Sequence, residues 1–429
     1  MLKNMKEYSA KSFDGVISDQ EVFQVLDQTL EQVKGAKRVL LVPPDITRCY
    51  SYAGKITGYC YRKLAKEAEV KIMPALGTHR MMTREEQVSF IGGDIPESVY
   101  LYHNWRTDTV KIGTIPAAYI EKISDGTSSL DIDAEVNKCL VDGSFDLILS
   151  IGQVVPHEVV GMANYSKNIL VGLGGRQMIN QSHMVGAIYN LENIMGETAT
   201  PVRLLFDYAE ENFLKDVPLA YILTVTTEEN HEAQIHGIFT GAARRPFEQA
   251  AELAKRWNIT YLPKRVHKVV AYLEPEEFTS TWVGNKAIYR SRMIIEDGGE
   301  LLVLAPGLLH FGENDEVDGL IRQYGYRGTP YALNLWKDGK FTNADMVAAH
   351  IMHGSTEGRF TVTYATDKSK VTKEEVESIG YCHMDYQEAA ARYDMEKLPD
   401  GYYTMPDGEE IYVIKTPALG LWKTLAKSV

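Results

Sequence analysis

Residues 145–183, FDLILSIGQVVPHEVVGMANYSKNILVGLGGRQMINQSH, set an apolar run directly against two histidines, a lysine and a glycine-rich turn. The run Asp146-Leu147-Ile148-Leu149-Ser150-Ile151 is short and is closed by Gly152, so it reads as a strand buried on both faces. Polar chemistry begins where that strand stops. Pro156 restricts the residue before it and so fixes how the backbone approaches His157. Lys167 follows His157 by ten positions and His183 follows it by twenty-six. The segment Gly172-Leu173-Gly174-Gly175 suits a tight turn or a close backbone approach to a bound anion. It lacks the spacing of a dinucleotide or P-loop fingerprint, so neither ligand is implied.

The same pattern recurs towards the N-terminus. The strand-like Arg38-Val39-Leu40-Leu41-Val42 runs into PPDITR, which carries Asp45, Thr47 and Arg48, and a second strand at about 69–74 runs into LGTHR with His79. In open parallel α/β sheets ligands bind outside the carboxyl ends of the strands. Asp45, Arg48, His79 and His157 are therefore predicted to share one cleft.

Around this nucleus the chain is predicted to open with a helix capped by Ser18 and Glu21, with Phe23, Leu26, Leu30 and Val33 on one face. Further helices fall at 54–68 and behind the Thr83/Glu86 capping pair. Helix 201–214, strands 219–226 and 233–239, and the helix PFEQAAELAKRW continue the alternation. Periodicity lapses at Tyr261-Leu262-Pro263-Lys264-Arg265 and resumes at Val269. The expected organisation is thus α/β throughout, with two α/β domains, mainly parallel sheets and a cleft between them. Residues 1–262 form the catalytic domain and 263–429 a second domain closing over the site, with the last ~25 residues packing back on the first. In the second half, helices are predicted at 284–295, 314–324 and 343–352, strands at 300–305 and 359–364, and a later helix behind Thr372 and Glu375.

A formal charge of -13, with no offsetting Lys/Arg cluster, argues against non-specific nucleic-acid binding. No uncharged apolar stretch reaches the roughly 18 residues of a membrane span, and the first residues lack an apolar signal core, so a cytoplasmic protein is expected. Cys49, Cys60, Cys139 and Cys382 have no CxxC spacing and read as reduced thiols. Cys49 is the one beside candidate site residues, and packing is its expected role.

Most histidines in a chain of this size are structural, and His231, His267 and His350 are read so. His79 and His157 stand apart because both follow strands in the same orientation. Arg48, three residues after Asp45, is placed to fork onto a carboxylate or phosphate. Lys167 taken alone is a solvated lysine, and the merit of Lys286 is its place at a helix start.

Taken jointly, DITR, ALGTHR and the Pro-His-Glu motif with Lys at ten and His at twenty-six resemble the lactate racemase family. These are nickel-pincer nucleotide enzymes that racemise or epimerise 2-hydroxy acids. WVGNKAIYRSRMII, APGLLHFGE and IMHGSTEGRF resemble that family's second domain. The resemblance implies that His79 and His157 are the acid/base pair, that Lys167 is joined to the cofactor through a thioamide, and that His183 is the nickel ligand. It also puts Asp45 and Thr47 near the cofactor and makes Arg48 and Lys286 substrate-binding. The chemistry is coherent. A carboxylate stabilises a carbanion poorly, whereas hydride removal needs an electron sink that a cofactor supplies. The implied partners are a small hydroxy acid and, transiently, the proteins that make the cofactor.

Two departures bear on the substrate. Ala163-Asn164-Tyr165-Ser166-Lys167 stands where the family carries SGGAK, and Val283-Gly284-Asn285 stands where a glutamine-containing pattern is usual. Hydrogen-bonding groups added at Asn164, Tyr165, Ser166 and Asn285 point to a polyhydroxylated acid, such as the aldonate gluconate, in preference to lactate. Three alternatives stand beside this reading. One is a racemase of lactate or another short-chain 2-hydroxy acid, and another is a zinc hydrolase or lyase using His79, His157 and His183. The third is a non-catalytic protein binding organic acids through Arg48 and Lys286.

Overall fold

The computed structural model describes residues 2, 5–229, 231–418 and 420–425. They divide into two compact units, Met1–Val185 with Ile194–Asn258, and Gly186–Asn193 with Ile259–Val429.

The first unit is built on a six-stranded sheet. Its strands are β1 (Tyr8–Lys11), β2 (Arg38–Val42), β3 (Glu69–Ile72), β4 (Leu147–Gln153), β5 (Leu219–Glu229) and β6 (Glu232–Gly241), in the order β1-β6-β5-β4-β2-β3. The four strands β5, β4, β2 and β3 are mutually parallel, and β6 and β1 extend that edge antiparallel. All seven residues of β4 are buried, as a strand covered on both faces requires. Helix α1 (Asp19–Gln32) starts with the Ser18/Glu21 capping box, and α2 (Ala53–Leu64) follows the β2 loop. Val22 and Leu26 of α1 and Ile56 and Cys60 of α2 pack with Val39, Leu41, Val70, Leu147 and Leu149 into one core.

The chain departs from its predicted start. The N-terminal element before α1 is β1, whose residues alternate half-buried and exposed. Such a short polar strand has no hydrophobic signature and exists through its pairing with β6, more than 200 residues away. An antiparallel hairpin, Thr109–Ile115 with Ile132–Asn137, also escaped the sequence reading.

The second unit carries its own six-stranded sheet of β7 (Val266–Tyr272), β8 (Ile295–Ala305), β9 (Phe360–Thr366), β10 (Cys382–Asp385), β11 (Gly401–Thr404) and β12 (Glu410–Ile414), in the order β10-β9-β8-β7-β12-β11. All its pairings are parallel except that of β11 with β12. The predicted helix 284–295 is broken into Thr281–Gly284, Lys286–Ser291 and a 3-10 turn Arg292–Ile294, and β8 begins at once. A helix at Thr329–Lys337 was not predicted. Leu421–Thr424 pairs in parallel with Ile259–Leu262, both within the second unit. Residues 186–193 join this unit because Glu192 is gripped by Arg292 at 3.0 Å and Arg359 at 2.6 Å.

Candidate active site

Because β3, β2 and β4 are adjacent and parallel, the three loops that follow them leave the same edge of the sheet. Asp45 caps the turn after β2, its Oδ1 accepting from the Thr47 amide at 3.0 Å and the Thr47 hydroxyl at 2.5 Å. Its other oxygen, Oδ2, lies 2.7 Å from Nδ1 of His79 in the loop after β3. Gly77, at φ +57, turns that loop, and its amide donates to the Gly172 carbonyl at 2.8 Å. Burial pushes the Asp45 carboxyl up, yet the hydrogen bond and charge of His79, the Thr47 hydroxyl and the Arg48 guanidinium outweigh it and hold it at about 2. An ionised carboxylate accepts, so the neutral His79 ring carries its proton on Nδ1. Nε2 of this half-exposed side chain therefore carries the lone pair.

His157 has the opposite polarity. It sits in a small hairpin, Pro156–His157 against Gly161–Met162, and is buried. The Val159 amide donates to its Nδ1 at 3.1 Å. A backbone N–H cannot accept, so the neutral ring here carries its proton on Nε2. Glu158 lies beside it, with 3.9 Å between carboxylate and ring.

Lys167 lies in the short helix α3 (Ser166–Leu170). Asn168, its neighbour, ties that helix to the sheet by donating to the Val42 carbonyl at 3.2 Å and the Ser150 hydroxyl at 2.9 Å. Part of the Lys167 side chain reaches the surface, but its packed surroundings, followed by the nearby Arg48 charge, push its ammonium down to about 8. Glu158 and Asp45 act on it in the opposite sense, which puts all these groups in one electrostatic neighbourhood. His183 belongs to α4 (Arg176–Tyr189), and its Nδ1 donates to the Ile179 carbonyl one turn back at 2.6 Å. Packing around the ring, offset by that bond and reinforced by Lys167, brings it down to about 4. At neutral pH His183 is thus an uncharged imidazole. Among the described residues nothing hydrogen-bonds its Nε2. A histidine fixed through Nδ1–H on a carbonyl is the usual form of a metal-ligating imidazole.

Several expectations need correction. The glycines at 172–175 are small because the fold is tight. A Cβ on Gly174 would stand 1.9 Å from the Leu170 carbonyl oxygen, and one on Gly175 would stand 2.3 Å from the Glu135 carboxylate. That carboxylate also accepts from the Gln177 amide at the start of α4, so these glycines serve the tight turn. Cys49 is exposed and does not pack the core. Among the described residues no three His, Cys, Asp or Glu side chains converge as a metal-binding set, so His79, His157 and His183 do not make the three-imidazole zinc site.

The four groups expected to meet substrate hydroxyls are used internally. Asn164 accepts from the Tyr165 amide at 2.7 Å, the Tyr165 phenol donates to Glu210 at 3.2 Å, and the buried Ser166 hydroxyl accepts from Arg203 at 2.7 Å. Asn285 donates to the Tyr381 phenol at 3.1 Å and accepts from the Tyr364 phenol at 2.7 Å. The preference for a polyhydroxylated acid loses its basis in these residues. Lys286 belongs to the second unit, half-buried, its ammonium 5.8 Å from the centre of the Phe278 ring. Sequence reasoning missed the Asp45–His79 pair and Glu158, although the latter is the third letter of the Pro-His-Glu motif.

The fold and these side chains define an α/β protein with acid/base and ligand-type groups at the carboxyl edge of a parallel sheet. Residues 19–196 match the model of the lactate racemase N-terminal domain. It is 29% identical over 233 residues to the lactate racemase of Thermoanaerobacterium thermosaccharolyticum, a match spanning 51% of this chain and 48% of that one. A lactate racemase of Lactiplantibacillus plantarum is 27% identical over 248 residues. The chain spans about half the length of the curated relatives it matches. The fold recurs in the T. thermosaccharolyticum lactate racemase apoprotein, with TM-score 0.70 and 20% identity, covering 92% of this chain and 88% of that one. It also recurs in a Thermotoga maritima crystal structure, with TM-score 0.83 and 22% identity, covering 97% and 100%. No described helix is long and apolar enough to cross a membrane.

Proposed function

We propose that the protein is a racemase or epimerase of 2-hydroxy acids working with a nickel-pincer nucleotide joined to Lys167 and ligated by His183. The observation that carries this reading is a partly uncharged amine beside a neutral imidazole whose Nδ1–H is already fixed. An amine attacks only without its proton, and a lysine near 8 has that form in useful amount at neutral pH. A pincer brings its own donors, so one imidazole would complete the set; among the described residues no three His, Cys, Asp or Glu side chains converge.

When bound, that group supplies the hydride acceptor that inversion at C2 needs and no side chain provides. The protein's own residues do the rest. Arg48 forks onto the substrate carboxylate. His79 takes the hydroxyl proton at Nε2, and Asp45 stabilises the resulting imidazolium through Nδ1–H. His157 presents Nε2–H to the substrate oxygen and becomes a base only after its Nδ1 releases the Val159 amide. The two faces of C2 are thus served from unequal resting states. Proteins that make and load the cofactor are the transient partners.

A gluconate-type acid falls within this substrate class, but Asn164, Tyr165, Ser166 and Asn285 select no chain length, since their polar atoms are bonded within the fold. Cofactor-loaded protein given single stereoisomers of lactate, malate and gluconate separately, with chiral analysis of the products, tests the reading. Inversion at C2 of at least one is expected. Full nickel occupancy with no inversion of any 2-hydroxy acid would end it.

A further inference from the structure

The approach to Lys167 is strained in a way its sequence does not advertise. Asn164 and Tyr165 are consecutive non-glycine residues at φ 64 and 56. Tyr165, with ψ -135, holds the first central position of a II′-type turn, where glycine is the natural occupant. Asparagine tolerates positive φ; a bulky tyrosine does so only when its surroundings over-determine it.

Those surroundings are buried and charged. Arg203 of α5 (Pro201–Phe213) is fully buried and donates to the carbonyl of Met162 at 2.6 Å, that of Asn164 at 3.1 Å and the Ser166 hydroxyl at 2.7 Å. It therefore brackets Tyr165 on both sides. The Tyr165 ring is stacked on Phe247, with centroids 5.2 Å apart, and lies against Tyr221 at 4.4 Å. Its phenol donates to Glu210, which also receives the Tyr221 phenol at 2.8 Å. Burial pushes the Glu210 carboxyl up to about 7 despite these donors, a cost that a purely structural helix position would avoid.

We propose that Arg203 and Glu210 are positioning residues that hold the Asn164–Tyr165 turn in its left-handed form and thereby present the Lys167 amine at the sheet edge. This rests on Lys167 as the attachment residue, so its test starts from cofactor-free protein. Lys167 is labelled with an amine-acylating reagent at pH 8, and its rate is read by peptide mass spectrometry against exposed Lys34 in the same sample.

In Arg203→Lys, which keeps a basic group but loses the fork, Lys167 labelling should slow about tenfold relative to Lys34, with a smaller slowing in Tyr165→Phe. Adduct yield on loading with cofactor should fall in the same order. A folded Arg203→Lys protein in which Lys167 reacts at the wild-type rate would overturn the proposal. If that variant does not fold, an unchanged Lys167 rate in Tyr165→Phe would do so. Wild-type protein that labels Lys167 selectively yet never forms an adduct would instead count against the attachment role while leaving the clamp in place.

Discussion

The two units are built alike, each on a mainly parallel six-stranded sheet, and each holds rings engaged at both nitrogens, His103 and His236 in the first and His350 in the second; the candidate-site rings differ from these. In the second unit His350 has both ring nitrogens engaged, Nδ1 with the Tyr289 phenol at 2.8 Å and Nε2 with the Tyr326 phenol at 2.7 Å. Tyr364, Asn285 and Tyr381 close a neighbouring network in the same manner. In the first unit, His79 and His183 are each fixed through Nδ1, to a carboxylate and to a carbonyl, and Nε2 has no hydrogen-bond partner among the described residues. A ring satisfied at both ends is mortar; a ring held at one end is a tool. His183, whose ring burial holds down at about 4, is of the second kind, and His79 is held by a carboxylate that stays ionised down to about 2.

The largest effect should come from the proton-handling pair. His79→Asn should reduce net inversion by roughly 10² to 10⁴-fold with nickel content unchanged, and His157→Asn should do the same. The half-reactions should differ. In single turnovers His157→Asn should still convert one enantiomer to its keto acid, and His79→Asn the other, at reduced rate. Nickel lost from either variant but kept in His183→Ala would exchange the roles of ligand and base.

The comparison can be broken by a matched pair of histidines. His183→Ala should lose nickel while the cofactor-free protein unfolds near its normal midpoint. His350→Phe should keep nickel but lose about 1–3 kcal/mol of stability, because two buried phenols lose their partner. Equal nickel loss in the two would erase the distinction between the two kinds of ring.

A smaller effect belongs to Asp45. Its folded-state pKa is held below the unfolded value, so its contribution is present above the unfolded carboxylate range and is lost as pH falls through about 2. Asp45→Asn should therefore be less stable than wild type by on the order of 2 kcal/mol at neutral pH, the gap closing between about pH 4 and pH 2. Denaturant midpoints across that window check it. A constant gap would mean that the carboxylate's charge is not what matters. The mildest prediction concerns titration of the amine. Acylation of Lys167 should rise with a midpoint near pH 8, below that of exposed lysines.

Much of this site is legible in the sequence because its signals are local. A strand end followed by Asp45 or His79, and the His157, Lys167, His183 spacing, are read within a few dozen residues, and the short-range caps at Ser18, Thr83 and Thr372 all occur. What escapes is direction and distant partnership. Composition reveals that Asn164, Tyr165, Ser166 and Asn285 are polar, but not that each turns inward. Arg203 meets the Met162 carbonyl across 41 residues and Thr240 meets Thr29 across 211, and no periodicity encodes such pairs. Strand β1 was hidden for the same reason, since its partner lies at the far end of the unit.

The central claim is that Lys167 carries the cofactor while its neighbours hold and move protons around it. Peptide mapping of active, cofactor-loaded protein by mass spectrometry tests this most directly. The account predicts an adduct confined to the peptide containing Lys167 and missing from Lys167→Ala. Full inversion activity in protein whose Lys167 is unmodified would contradict it.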